Sequence, residues 1–129
     1  MKKIIMLGLA LLLIAGTGYA KDYEIKKKAG DFDVEIRIDR NPPIAGENHM
    51  DILIKDAAGK FVTDAMVVVN YSMPAMPGMP AMNYKSDAQL KGEAYKATMA
   101  LSMSGSWNVE VKITRTGKAS SLKFTVDAK

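Results

Sequence analysis

Short segments in which apolar and polar residues alternate are the feature that most constrains the fold of this chain. The strictest run covers residues 31–39, where four apolar residues alternate with charged ones, and similar runs cover residues 107–113 and 122–126. Because successive side chains of a strand point to opposite faces, a period of two predicts strands with one buried face and one solvated face.

Further strand candidates are separated by turn-forming residues. They lie at residues 23–28, 49–55, 65–72, 84–90 and 95–101. Beyond the first twenty residues, no segment has the period of an amphipathic helix. About seven short strands spaced in this way are typical of an all-β protein, and we predict an immunoglobulin-like antiparallel β-sandwich.

The first twenty residues have the layout of a secretory signal peptide. Lys2 and Lys3 precede an apolar stretch at residues 4–14, and residues 18–20, Gly-Tyr-Ala, match a small-x-small cleavage site. We therefore predict cleavage after Ala20 and a periplasmic or secreted protein.

This reading divides the chain into a signal peptide at residues 1–20 and one β-sandwich domain at residues 21–129. The alternative is an uncut N-terminal membrane anchor, because residues 4–20 carry no charge over nearly the length that spans a bilayer. With the signal removed, we expect a domain that is not embedded in the membrane.

Composition excludes several classes of function. The formal charge of +4 includes Lys2 and Lys3, so without the signal peptide it is +2, which is too small to indicate nucleic-acid binding. The chain has no cysteine, so disulfides, thiolate metal sites and cysteine nucleophiles are excluded. With one histidine and no recognisable pairing of a nucleophile with a base, we expect a protein that is not an enzyme.

Residues 73–82 read Met-Pro-Ala-Met-Pro-Gly-Met-Pro-Ala-Met, with methionine at every third position. An extended polyproline II segment has three residues per turn and would align these methionines along one ridge. Neighbouring thioethers could then share an ion, while a third would require a bend, for which Gly78 is best suited. A thioether is a soft, uncharged donor that suits Cu(I), so we predict a soft-metal loop.

The methionines differ in their expected roles. Met76 and Met79 belong to no strand and are the first candidates for metal ligands. Met73 and Met82 continue the apolar faces of the flanking strands, so they either bind metal or close the end of the core. Met103 lies just past a strand end, where both roles remain open.

The antiparallel arrangement brings further candidates to the same place. Alternate connections lie at opposite ends of a sandwich, so the connection before His49, residues 73–82 and the turn at residues 102–106 should share one end. His49 is then a further candidate ligand beside Met103. Trp107 is by default a core residue, but its ring could cover a bound monovalent cation.

Four short segments together resemble one known family. They are residues 46–48 (Gly-Glu-Asn), residues 64–67 (Asp-Ala-Met-Val), residues 73–80, and residues 103–107 (Met-Ser-Gly-Ser-Trp). This set resembles the YtkA-like domain family and its FixH-like relatives. The resemblance implies a small exported β-sandwich linked to copper or heavy-metal efflux and to oxidase maturation.

The chain is also similar, more loosely, to periplasmic copper carriers that bind Cu(I) through methionine and histidine, which would map onto Met76, Met79 and His49. Our leading hypothesis is a periplasmic Cu(I)-binding protein that carries or buffers the ion. The alternative is a partner-binding module for a membrane efflux or oxidase assembly protein, with the loop as an apolar docking surface and no metal bound. A third reading is an oxidant sink of exposed methionines.

Overall fold

The computed structural model describes residues 23–129, which form two packed antiparallel sheets. The strands are β1 (Tyr23–Ala29), β2 (Phe32–Ile38), β3 (Gly46–Lys55), β4 (Met66–Met73), β5 (Met82–Asp87), β6 (Gln89–Lys91), β7 (Ala94–Leu101), β8 (Gly105–Arg115) and β9 (Lys118–Ala128). The predicted signal peptide lies outside the described residues. Within residues 23–129, no helix has the length and apolar character needed to cross a membrane.

The strand order confirms the predicted immunoglobulin-like sandwich. One sheet has the order β1-β2-β3-β7-β6 and the other the order β9-β8-β4-β5. Apart from the added β1, these orders correspond to the ABED and GFC sheets of immunoglobulin domains, with β5 extending the second sheet. All pairings between these strands are antiparallel.

The core lies between the two sheets and is built from the alternating positions predicted from sequence. In β2, Val34, Ile36 and Ile38 are buried and the residues between them face outward. The longer strand β8 repeats this pattern from Trp107 to Ile113. Burial of one apolar face per strand is therefore what holds the two layers together.

One predicted strand, residues 84–90, is wrong in its extent because the chain changes sheets within it. Strand β5 pairs with β4, whereas β6 pairs with β7 in the other sheet. Between them, the backbone N–H of Ala88 donates to the carbonyl of Val67 at 2.9 Å. The alternation in the sequence continues across this switch, so the pattern alone did not reveal it.

The connections fall at two ends, as predicted. One end, called here the methionine end, contains the connections at residues 39–45, 74–81 and 102–104; the register pairs Gly46 with Leu101, Ser72 with Asn108 and Gly105 with Ala128. The opposite end contains the connections at residues 30–31, 56–65, 92–93 and 116–117.

The connection at residues 39–45 is held by a buried side chain. Asn48 is fully buried, and its amide accepts from the N–H of Ile44 at 2.9 Å and donates to the carbonyl of Ile44 at 2.9 Å. The same amide also donates to the carbonyls of Gly46 and Met99. This buried side chain therefore fixes the path by which the chain enters β3 at the methionine end.

Candidate functional site

The methionine-rich segment folds into a tight hairpin that extends β4 and β5. Met76 and Met79 exchange two backbone hydrogen bonds, of 2.8 and 3.0 Å, around Pro77-Gly78. Gly78 has φ = +81°, the value expected at the third position of a type II turn, and proline suits the second. The turn type follows directly from the Pro-Gly pair.

A straight polyproline II ridge through residues 73–82 is therefore wrong, although the bend at Gly78 is found. Hairpin pairing replaces the ridge because antiparallel β4 and β5 must be joined. Between the turn and the strands, residues 74–75 and 80–81 are outside the ladder. Pro74 and Pro80 have no N–H to donate, and a type II turn matches the twist of a sheet poorly.

This hairpin brings the methionines together in pairs. Met76 lies opposite Met79, and Met73 lies opposite Met82. Directly opposed residues of an antiparallel ladder have their Cβ atoms about 5 Å apart on one face of the sheet. Two long thioether side chains starting from such positions can reach a common ion.

Burial separates the two pairs. Met76 is 42 % exposed and Met79 is half-buried, whereas Met73 is buried and Met82 half-buried. Met76 and Met79 thus form an outer pair at the tip. Met73 and Met82 form an inner pair at the base of the hairpin, where the sequence left core and ligand roles open.

The inner pair packs against the turn at residues 102–104. The hydroxyl of Ser102 donates to the sulfur of Met82 at 3.4 Å. On the other side, a Cβ placed on Gly105 would come within 3.1 Å of the Met73 methyl carbon. Met103, half-buried in this turn, packs against the core and adds a fifth thioether to the methionine end.

Trp107 lies below this turn with its ring fully buried. Its indole N–H donates to the carbonyl of Met103 at 3.0 Å. The ring packs against Tyr71 and Tyr84, with centroids 6.2 and 6.1 Å away. The predicted cation-covering role of Trp107 does not match this position, because Tyr84, not Trp107, is the ring of this cluster that solvent reaches.

His49 is not brought to the methionines. Strand β3 begins at Gly46, three residues earlier than predicted, so His49 lies within the strand and on the outer face of the five-stranded sheet. Its side chain is 58 % exposed, with Nδ1 3.4 Å from the Thr98 hydroxyl and Nε2 3.6 Å from the Glu47 carboxylate. The structure thus places His49 on a sheet face and not in a connection of the methionine end, and its role as a ligand stays a prediction.

A cleft of about 560 Å³ opens beside the inner pair, at the edge where β5 passes the ends of β3 and β7. Its lining includes Glu47, Tyr84 and Ser102. Ser102 also contacts Met82, and Glu47 also contacts His49. Through these two residues, the cleft adjoins both Met82 and His49.

Donor chemistry at the methionine end is that of soft, neutral ligands. Within residues 23–129, no three side chains among His, Asp, Glu and Cys are close enough together to hold a metal ion. The segment from Tyr71 to Tyr84 contains four methionines and no charged residue. Such a donor set suits a monovalent soft cation such as Cu(I) and is poorly suited to Mg²⁺ or Ca²⁺, which require oxygen ligands.

Sequence reasoning missed Ser102, Glu47 and the two tyrosines of the aromatic cluster. The sequence does contain a pattern from which the pairing of the two tyrosines could have been predicted. Tyr71 and Tyr84, like Met73 and Met82 or Met76 and Met79, lie at equal distances on either side of Pro77-Gly78. Each of these pairs is directly opposed in the hairpin.

Comparison with known proteins identifies the family. The family model described as YtkA-like matches residues 26–112, which is more than half of the chain. Searches among curated proteins and among solved structures returned no match. The matched range includes most of the sandwich, the methionine hairpin and the turn that packs on it. The chain therefore belongs to the YtkA-like family.

Proposed function

We propose that this protein is an exported Cu(I)-binding protein that carries or buffers the ion through thioether ligands at the methionine end. The observation that carries the proposal is the opposition of Met76 and Met79 across a two-residue turn at an exposed tip. Thioethers favour Cu(I) because they are soft donors. A small number of neutral ligands at an exposed tip also suits an ion that must be released again.

The outer pair is the entry point in this proposal, with Met82 and Met103 as further ligands available at the base of the hairpin. Met73 is the least available of the five methionines because it is buried against Gly105. His49 stays a predicted ligand that the structure does not support by proximity.

The test is titration of the protein with Cu(I) against a competing chelator. In a Met76→Leu, Met79→Leu variant we expect a loss of affinity of about 100-fold, equivalent to about 2.7 kcal/mol. Leucine keeps the apolar volume of methionine, so the fold should be retained. Unchanged affinity in this variant would reject the proposal.

Two matched controls locate the site. Met66 is 69 % exposed at the start of β4, at the opposite end of the same strand, and Met66→Leu should leave the affinity unchanged. His49→Ala distinguishes the two ligand sets, because we expect little change if the thioethers act without the imidazole. A loss with His49→Ala equal to that of the methionine variant would restore histidine as a ligand.

A second candidate function is a docking module for a membrane efflux or oxidase assembly protein, with no metal bound. Exposure of Met76 and Tyr84 on a segment without charge favours it. The two functions respond differently to the same change. Leucine at positions 76 and 79 would preserve an apolar docking surface but would remove both sulfurs, so only the metal carrier loses function in the methionine-to-leucine variant.

A further inference from the structure

The chain enters the sandwich facing the methionine end. Tyr23, the first described residue, is paired with Ile38, the last residue of β2. Strand β2 leads into the connection at residues 39–45, which belongs to the methionine end. Since β1 is antiparallel to β2, β1 begins at that same end.

The sequence before Tyr23 limits how far from a membrane this end can lie. Residues 4–20 carry no charge, and only Lys21 and Asp22 stand between Ala20 and Tyr23. An extended chain covers at most about 3.6 Å per residue, so Ala20 lies within about 11 Å of Tyr23. Whenever residues 4–20 are in a bilayer, the start of β1, which lies at the methionine end, is held close to its surface.

The connections of the methionine end carry fewer charged residues than those of the opposite end, as contact with a bilayer requires. The connections of the opposite end include Asp31, Asp56, Lys60, Asp64 and Glu93. At the methionine end, the connections at residues 74–81 and 102–104 contain no charged residue. The charges there lie on the third connection, at Asp39 and Arg40, and on Lys129. Two more lie at the adjoining strand ends, on Glu47 and Asp127.

The hairpin has the composition of a segment that enters the boundary between lipid headgroups and acyl chains. Its tip consists of methionine, proline, alanine and glycine, and its hydrogen bonds at Met76 and Met79 are satisfied within the turn. Tyr84, exposed near the base, is of the residue type that prefers membrane interfaces. Entry of this tip costs no charge burial and leaves the two paired N–H groups bonded.

We infer that, in the chain that retains residues 1–20, the methionine end docks on the lipid bilayer and the tip of the hairpin enters its interface. The occupant of this surface is the phospholipid bilayer itself. This inference concerns orientation and does not depend on metal binding, so either proposal can fail without the other.

Single-cysteine labelling tests the inference directly, because the chain has no cysteine of its own. The full chain is made by cell-free synthesis in the presence of vesicles of phosphatidylcholine and phosphatidylglycerol. Ala75→Cys in the hairpin and Ala58→Cys at the opposite end are matched exposed alanines. Each variant carries an environment-sensitive fluorophore, and some vesicles contain lipid with a nitroxide on its acyl chain.

We expect the label at position 75 to shift its emission to the blue and to be quenched by the nitroxide lipid about twofold or more, as for a group at the acyl boundary. The label at position 58 should show neither effect. Equal quenching at both positions would mean that the domain lies on its side, and no quenching at position 75 would mean that the hairpin stays in water; both results overturn the inference. A blue shift at position 75 without quenching would identify a second copy of the chain as the occupant and would also overturn it.

Discussion

The methionine end and the opposite end of the sandwich solve the same problem, that of connecting antiparallel strands, with different chemistry. At the opposite end, three of the four connections are two residues long, and in the longer one the carboxylate of Asp56 accepts from the N–H groups of Ala58 and Lys60. An ion pair between Arg115 and Asp64 at 2.8 Å lies at the same end. At the methionine end, the connections are instead closed by aromatic rings, thioethers and one buried amide.

Turns of the first kind are stabilised by hydrogen bonds within the turn, whereas connections of the second kind are stabilised by packing against the core. A polar turn exposes its hydrogen bonds to water and needs little packing. A connection built on Trp107 and Met103 is stable only while the tertiary structure holds those side chains together. Function is more easily placed at the second kind of end, because its surface is not already committed to local polar contacts.

The largest expected effect is at Trp107. Replacing Trp107 by alanine should lower the free energy of unfolding by about 3–5 kcal/mol, since the ring is fully buried and supports the turn at residues 102–104. Val62→Ala, at a fully buried position of the opposite end, should cost about 2 kcal/mol. Urea denaturation measures both. Equal losses would break the comparison, because the two ends would then depend on core packing alike.

The buried amide at the methionine end should come next. Asn48→Ala removes the partners of the Ile44 N–H and carbonyl, and we expect a loss of about 1–3 kcal/mol. Asn83→Ala, at an exposed position on β5, should change stability by less than about 0.5 kcal/mol. Denaturant titration of the two variants measures both changes in the free energy of unfolding. A neutral Asn48→Ala would show that water replaces the amide and that this connection is not held by the core.

Alanine substitutions at three glycines with positive φ compare the stability of the two ends at single backbone positions. Gly78 and Gly59, one at each end, have φ of +81° and +83° and open space around the missing Cβ. Alanine at either should cost about 1 kcal/mol from backbone strain alone. Gly105 has φ of +127°, and alanine there would also press on the Met73 methyl carbon, so its loss in thermal or urea unfolding should be the largest of the three. If Gly105→Ala proves the mildest, the inner methionine is less tightly packed than described.

The smallest effect concerns pH at the opposite end. Hydrogen bonding from the Lys60 backbone N–H is the main cause that holds the pKa of Asp56 below its usual value; partial burial opposes it, and the Ala58 N–H and the charges of Arg115 and Lys60 lower it further. A lowered native pKa means that the stabilisation is complete above the ordinary carboxyl pKa and is lost as the pH falls through the native value.

Asp56→Asn keeps an oxygen acceptor but removes this dependence. We expect a slightly lower Tm than wild type at neutral pH and no difference once the carboxylate of the wild type is protonated. A Tm difference that does not change with pH would show that charge contributes nothing at this turn.

Much of the fold followed from sequence because burial of a strand face imposes a period of two. The runs at residues 31–39 and 107–113 predicted their strands and buried positions, and the number of strands predicted the architecture. The rule that alternate connections of antiparallel strands lie at opposite ends also predicted which connections share an end. The family resemblance followed from four short segments, two of which are the hairpin and its neighbouring turn.

Sequence reasoning did not predict the features that depend on which residues are neighbours in space. Residues 84–90 look like one strand, yet Ala88 passes from one sheet to the other. His49 would border a connection only if β3 began at residue 49, as predicted. Because Gly46 pairs with Leu101, β3 begins three residues earlier. A repeat of three suggested a polyproline ridge, whereas the symmetry about Pro77-Gly78 describes a hairpin.

By itself, the sequence determined that this chain is a β-sandwich with a neutral, methionine-rich connection, because alternation and turn residues act locally along the chain. Only the tertiary structure decided which methionines face each other, that Trp107 is buried beneath the turn, and that His49 lies on the outer face of the five-stranded sheet. These outcomes depend on strand register and on the choice of sheet, which are fixed by the burial of many distant side chains together and not by any local pattern.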